Sequence, residues 1–256
     1  MNHEFVSRPA RHDCFFDNDF KAVLLVGGMG TRLRSVLPSV PKPLAAMGNQ
    51  SFLELLVRQL RSQGLRRLVM CTGYLAEQIQ TTFGDGLNWD VMIEYSKEPS
   101  PLGTAGAVKL AQTALENSRD FLVMNGDSFV EADFHELLRL HRTRGCLMSM
   151  AVCRVEDASR YGTVQVDRNS RVIGFGEKTG DHVSGLVNAG VYIFNRQVLE
   201  HIPEGPCSLE RDVFPEILGK GVYSVEQRGM FIDIGTPEDY ARARTLCDRL
   251  YASAVT

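Results

Sequence analysis

The densest chemistry in the chain lies at Val26-Gly27-Gly28-Met29-Gly30-Thr31-Arg32, with Lys42 ten residues beyond Arg32 and held between Pro41 and Pro43. Glycines let a backbone approach a ligand closely, and consecutive N–H groups form a cradle for an anion. Arg32 and a lysine stiffened by flanking prolines add positive charge that has little conformational freedom to lose. These residue types describe a polyphosphate site. Two familiar phosphate loops do not fit it. A Walker loop needs Gly-Lys-Ser/Thr after four intervening residues, and G-x-G-x-x-G started at Gly28 meets Leu33 at its last position. Acidic residues supply the counterpart. Asp127 closes Asn125-Gly126-Asp127 after an apolar run, and Asp233 follows Phe231-Ile232. Both are expected at C-terminal strand ends, which a parallel sheet gathers at its ligand edge. Two carboxylates there suit Mg2+, a hard cation that keeps several waters and bridges phosphates.

The elements that must position these groups are read from hydrophobic period. Residues 21–26 form a continuous apolar run closed by glycines, as a buried strand does. Residues 51–64 have helical spacing, with a capping-box pattern at Ser51 and Glu54 and Gly64 at the C-terminal end. Strands are predicted at 67–71, 91–95 and 121–124, and helices at 75–83, 103–115 and 133–141. Beyond Leu147 the pattern becomes strand-rich, at 147–155, 162–166, 172–176 and 187–194, before short helices near 208–218 and 237–250. Thr236 and Pro237 read as the N-cap and first residue of the last helix. This alternation predicts an α/β fold, Rossmann-like and doubly wound, with a mostly parallel (mixed) sheet flanked by helices.

With 44% hydrophobic and 23% charged residues, the composition excludes disordered, collagen-like and coiled-coil classes. A formal charge of −3 gives no basis for nucleic acid or an anionic membrane as partner. The six cysteines include no C-x-x-C pair, which argues against zinc ribbons and redox motifs. Cys71, Cys146 and Cys153 sit in apolar runs and are expected to be buried free thiols, so a reducing, cytoplasmic location is expected. No apolar stretch approaches the roughly 18 residues of a spanning helix. Residues 1–19 lack the apolar core of a signal peptide.

Taken in order, the motifs resemble those of the sugar-1-phosphate nucleotidyltransferases: a strand, G-G-x-G-T-R, then P-K-P. The resemblance runs on through residues 99–105, Asn125-Gly126-Asp127, Phe175-Gly176-Glu177-Lys178, Asn188-Ala189-Gly190 and residues 231–237. It implies that a sugar 1-phosphate attacks the α-phosphorus of a nucleoside triphosphate and releases pyrophosphate. The nucleophile is already an anion, so catalysis reduces to positioning and charge neutralisation. The implied catalytic residues are Arg32 on the pyrophosphate, Lys42 on the α-phosphate, and Asp127 and Asp233 on Mg2+. The implied nucleotide contacts are Gly27, Gly28, Gly30, Thr31, Glu98, Pro99, Leu102, Gly103, Thr104 and Gly126. Those of the sugar phosphate are Gly162, Glu177, Lys178, Asn188 and Gly190, with Tyr161 read equally as core. The resemblance divides the chain into an extension (residues 1–20) and one domain (21–256), whose halves, about 21–145 and 146–256, take the nucleotide and the sugar phosphate. It also implies a homo-oligomer, a dimer first.

Glu98 bears on the base. Pyrimidine-using relatives commonly have glutamine at the matching position, which both donates and accepts, whereas a carboxylate only accepts. Guanine offers adjacent N1–H and N2–H donors to a carboxylate, so GTP is the expected nucleotide. The chain length, the Leu-Gly-Thr-Ala loop and Ser208-Leu209-Glu210-Arg211 most resemble the guanylyltransferases of D-glycero-D-manno-heptose 1-phosphate. Those of mannose 1-phosphate come next, then uridylyl- and thymidylyltransferases of glucose 1-phosphate. Relatives with an added left-handed β-helix need more chain, so their second activity is not expected. A non-catalytic, sugar-nucleotide-binding regulator is the rival from another class; such proteins lose the cations or aspartates that here remain at 32, 42, 127 and 233. A nicotinamide oxidoreductase fails on the fingerprint.

Overall fold

A computed structural model describes residues 16–176 and 183–255. The apolar run after Phe20 becomes β1 (Ala22–Leu25), which leads through the glycine loop and a small hairpin, β2 (Ala46–Met47) and β3 (Gln50–Ser51), into α1 (Phe52–Ser62). Ser51 caps α1 by accepting the Glu54 N–H at 3.2 Å. The Glu54 carboxylate does not return to close the capping box; it accepts from Arg58 at 2.9 Å instead. β4 (Arg67–Thr72), α2 (Ala76–Phe83), β5 (Met92–Lys97), α3 (Gly103–Leu110) and β6 (Asp120–Asn125) follow. The helix predicted over 103–115 ends at Leu110 and tightens into a 3₁₀ turn, Ala111–Leu115.

The remaining elements are β7 (Ser128–Val130), α4 (Phe134–Arg144), β8 (Met148–Val155), β9 (Thr163–Val166), β10 (Val172–Gly176), β11 (Gly185–Asn195), α5 (Phe214–Ile217), β12 (Val222–Gln227), β13 (Phe231–Asp233), α6 (Pro237–Thr245) and α7 (Cys247–Ala254). The nine-stranded sheet runs β10-β9-β11-β6-β1-β4-β5, with β8 joined to β11 and β12 to β8. β5, β4, β1 and β6 are parallel neighbours. β11 is antiparallel to β6, β8 and β9, so the sheet is mixed. The helix predicted over 237–250 is two, α6 and α7. Thr236 accepts the Asp239 N–H at 3.2 Å at the start of α6, with Pro237 at its first position.

Strands buried on both faces need apolar residues on both. Ala22, Leu24, Leu122 and Met124 face a cluster formed with α1, α4, α6 and α7. Val23, Phe121 and Val123 face the opposite cluster, with α3 and α5. Cys71, Cys153 and Cys207 lie in these cores and Cys146 is buried outside them, all as free thiols. Burial pushes the Cys146 and Cys153 thiols up to about 12, so they stay protonated and unreactive at neutral pH. Phe16 packs on Phe20 and His135 at centroid distances of 4.8 and 4.7 Å, which ties the last residues of the extension to α4. Among the described residues no helix is long and apolar enough to cross a membrane.

Candidate functional site

A cleft of about 1200 Å³ opens where the glycine loop leaves β1 and Asn125-Gly126-Asp127 leaves β6. Gly27 begins the loop, and a Cβ there would stand 2.3 Å from Glu98 Oε1 and 3.1 Å from the Gly73 nitrogen, so a side chain would push the Glu98 carboxylate from its place. Gly30 adopts φ +55° and starts the 3₁₀ turn Thr31–Leu33. Arg32 is exposed on that turn, and no carboxylate pairs with it among the described residues. Pro41 and Pro43 frame a second 3₁₀ turn, Lys42–Leu44, which carries Lys42 into the cleft.

Lys42 Nζ donates to Asp127 Oδ2 at 2.6 Å. Asp233 reaches the same place by a route that corrects the sequence expectation. It is not at the end of a strand of the main sheet. It ends β13, which pairs antiparallel with β7 in a separate two-stranded ribbon, and its register partner is Ser128. The Ser128 hydroxyl lies 3.3 Å from Asp127 Oδ1 and 3.2 Å from Asp233 Oδ2, between the two carboxylates. Asp233 Oδ1 accepts the Gly235 N–H at 2.6 Å. Burial, and then the Asp127 charge, hold the Asp233 carboxyl above its ordinary range, against the opposing pull of Lys42. Two crowded carboxylates with hard oxygen donors fit a hard divalent cation whose other ligands are water and phosphate. No group of three or more His, Cys, Asp and Glu gathers among the described residues, so a cation held here would rest on these two carboxylates.

Glu98 stands on the opposite side of β1. Its N–H donates to Thr72 O at the end of β4, and its Oε2 accepts the Leu102 N–H at 2.9 Å, leaving Oε1 over Gly27. Burial pushes its carboxyl up, partly offset by the Leu102 N–H. Gly103 and Thr104 line the cleft at the start of α3, with Pro101 beside them; Leu102 and the exposed Pro99 do not line it. Thr104 Oγ1 accepts the Leu209 N–H at 2.8 Å and donates to Glu210 Oε2 at 3.0 Å. This holds the π-helical turn Leu209–Val213 against α3.

On the β11 side, Gly162 and Asn188 line the cleft, while Gly190 is buried behind it. Asn188 Oδ1 accepts the Gly190 N–H at 3.0 Å and its Nδ2 donates to Tyr192 Oη at 2.7 Å. Glu177 and Lys178 lie outside the described residues. Gly28, Thr31 and Gly126 are also in the cleft wall. Residues that sequence reasoning passed over join them. Ser128 bridges the carboxylates. Arg160 lines the mouth while making a bidentate pair with the buried Asp239, at 2.8 and 3.2 Å. Tyr161, which the sequence left open between cleft and core, lines the cleft too, edge-on to Phe231 with 5.7 Å between centroids. Only Ser128, next to an expected ligand, carried a local signal.

The nucleotidyl transferase family matches residues 21–248. The chain is 38% identical over 225 residues to mannose-1-phosphate guanylyltransferase of Mycobacterium tuberculosis, covering 86% of this chain and 62% of that protein. It thus spans about three fifths of the length of the mannose-1-phosphate guanylyltransferases it matches. It is 39% identical over 228 residues to D-glycero-alpha-D-manno-heptose 1-phosphate guanylyltransferase of Aneurinibacillus thermoaerophilus, covering 88% of this chain and 96% of that one. In structure it is similar to HddC from Yersinia pseudotuberculosis complexed with GMP-PN, with TM-score 0.78, 31% identity, and coverage of 90% and 99%.

Proposed function

The chain belongs to the nucleotidyl transferase family, and from that premise we propose that it transfers GMP from GTP to a sugar 1-phosphate of the heptose or mannose class. The observation that carries the reading is the seam at the cleft floor. Asp127 and Asp233 meet across Ser128, with Lys42 on Asp127 and the glycine loop beside them. An oxygen of the sugar phosphate attacks the α-phosphorus in line, the bond to the β-phosphate oxygen breaks, and pyrophosphate leaves. Since the attacking oxygen is ionised, no general base is needed. The backbone of residues 27–31 cradles the triphosphate, Arg32 holds the departing pyrophosphate, and Lys42 follows the charge that builds at the α-phosphate. Asp127 and Asp233 would hold Mg2+, which when bound supplies charge neutralisation to the phosphates. Glu98 Oε1 accepts from guanine. Gly162 and Asn188 belong to the sugar side, and Glu177 and Lys178 are assigned there by motif alone.

Heptose 1-phosphate is the first acceptor to test, because the relative of that name is covered almost end to end. Pyrophosphate release is measured for GTP, UTP, dTTP and ATP, each with the 1-phosphates of manno-heptose, mannose and glucose. Turnover with GTP and a manno-configured acceptor is expected. A preference for UTP or dTTP with glucose 1-phosphate would overturn the reading, and no turnover with any pair would leave a binding protein.

A further inference from the structure

Asn125 is the last residue of β6. Alternation along the strand puts its side chain on the face of Phe121 and Val123, but one step beyond the apolar core, in the cleft wall between Leu25 of β1 and Gly190 of β11. Gly190 has φ +75°, and a Cβ there would stand 2.9 Å from Asn125 Nδ2, so glycine leaves that amide its room. The room is not filled by protein. Asn125 Oδ1 is shut from solvent and without a partner, and the carboxamide makes no hydrogen bond among the described residues. A shielded, unpaired amide weakens the free protein, and native structures retain few of them. Asn188, the asparagine that sequence motifs assign to the sugar, already uses Oδ1 and Nδ2 within its own strand.

We infer that Asn125 is a specificity-determining residue that hydrogen-bonds a ring hydroxyl of the sugar 1-phosphate. The assignment rests on the function proposed above. Position decides for the sugar over the base. Glu98 is anchored to β4, whereas Asn125 stands on β6 beside β11, and β4 and β6 flank β1 on opposite sides. With strands about 4.8 Å apart, the two are separated by roughly 10 Å. Rotation about the last torsion of Asn125 exchanges carbonyl and amino ends within the same space, so either can be turned to a hydroxyl.

The test is Asn125→Leu, similar in size and without polar atoms, with Asn125→Ala as a second variant. KM for the sugar 1-phosphate should rise about 10- to 100-fold, the size of effect expected for one buried hydrogen bond to substrate, while KM for GTP holds. Both proteins are then assayed on a series of monodeoxy sugar 1-phosphates. One deoxy sugar should be used equally by wild type and variant, which identifies the hydroxyl. Asn125→Leu should melt at or above the wild-type temperature, because it removes an unpaired group; a purely structural asparagine would give the opposite. The inference falls if KM for GTP moves in place of the sugar's, if no deoxy sugar erases the difference, or if the leucine variant melts well below wild type. A wild-type enzyme that uses no sugar 1-phosphate would bring down the proposed function and this inference together. An active wild type with an unmoved sugar KM in both variants would bring down this inference alone.

Discussion

Along the β1 side of the cleft, the groups read as meeting phosphate come from one stretch of chain, residues 27–32, with Lys42 close behind, and Glu98 and Thr104 stand beyond them. Along the β11 side they come from β6, β9, β11 and the turn after Ser208, segments far apart in sequence. The first wall is backbone N–H and fixed cations; the second is Asn125, Tyr161, Asn188 and Glu210. The contrast follows from what each wall is read as meeting. A triphosphate presents repeated, equivalent oxygens, which a contiguous glycine loop can match with main-chain donors. A sugar presents hydroxyls at particular angles, and matching these takes side chains brought from several strands. Asp127 and Asp233 sit on the seam between the walls, Asp127 just before β7 and Asp233 at the end of β13.

The largest expected effect comes from cutting that seam. Asp233→Asn should lower kcat by about 10²- to 10³-fold, as loss of one preorganised electrostatic group does. The fold should not suffer. Burial and the Asp127 charge hold the Asp233 carboxyl above its ordinary range. A carboxyl raised in this way favours folding while protonated. That contribution is complete below the unfolded value of about 3.9 and is lost as pH rises through the higher folded value. Above that value the charge on Asp233 weighs against the fold until a cation joins it. In chelator at pH 7 the variant should melt no lower than wild type, and the gap between them should close as the solution is acidified. Added Mg2+ should raise the melting temperature of wild type and not of the variant. Equal stabilisation of both by Mg2+, or near-wild-type turnover, would remove Asp233 from the seam.

The same contrast explains what could be read from residues alone. The glycine loop, Pro41-Lys42-Pro43 and Asn125-Gly126-Asp127 are local, so their chemistry is written in consecutive letters. The alternating apolar runs likewise carried β1, β4, β6 and their covering helices. Asp233 was legible as a carboxylate of the site but not in its placement, because pairing of β13 with β7 is a long-range register with no local mark. The Thr104–Glu210 bond spans 106 residues and the Arg160–Asp239 pair 79, distances over which no spacing rule operates. β12 escaped notice because Val222–Gln227 mixes Ser, Glu and Gln among its apolar residues, a pattern that only pairing with β8 makes into a strand.

Glu98→Gln tests whether the base is read on the β1 side, and its effect should be smaller. Glu98 Oε2 is engaged by the Leu102 N–H and Oε1 faces the cleft. A glutamine can keep the Leu102 bond through its carbonyl, which turns an amino group toward the base. Against guanine N1–H this sets donor against donor, while the carbonyls of uracil gain a partner. The ratio of kcat/KM for GTP over UTP should fall about 10-fold, one unpaired donor being worth roughly 1.4 kcal/mol or somewhat more. An unchanged ratio would move base recognition to some other group and leave Glu98 the task of holding Leu102.

The smallest effect asks whether the two walls act independently. The Thr104 hydroxyl joins α3 to the turn after Ser208, accepting from Leu209 and donating to Glu210, whose Oε2 also accepts from Ser208 at 3.1 Å. Thr104→Val keeps the shape and leaves the buried Leu209 N–H without a partner, a loss of about 1–3 kcal/mol that a thermal melt will register. The kinetic consequence separates two accounts of this residue. If Thr104 serves the nucleotide alone, as family resemblance implies, only KM for GTP should rise. With its hydroxyl already committed to the turn that carries Glu210, the expected result is a severalfold rise in both KM values. A rise confined to GTP would show that the walls are uncoupled and that the Thr104–Glu210 bond holds structure without shaping the sugar side.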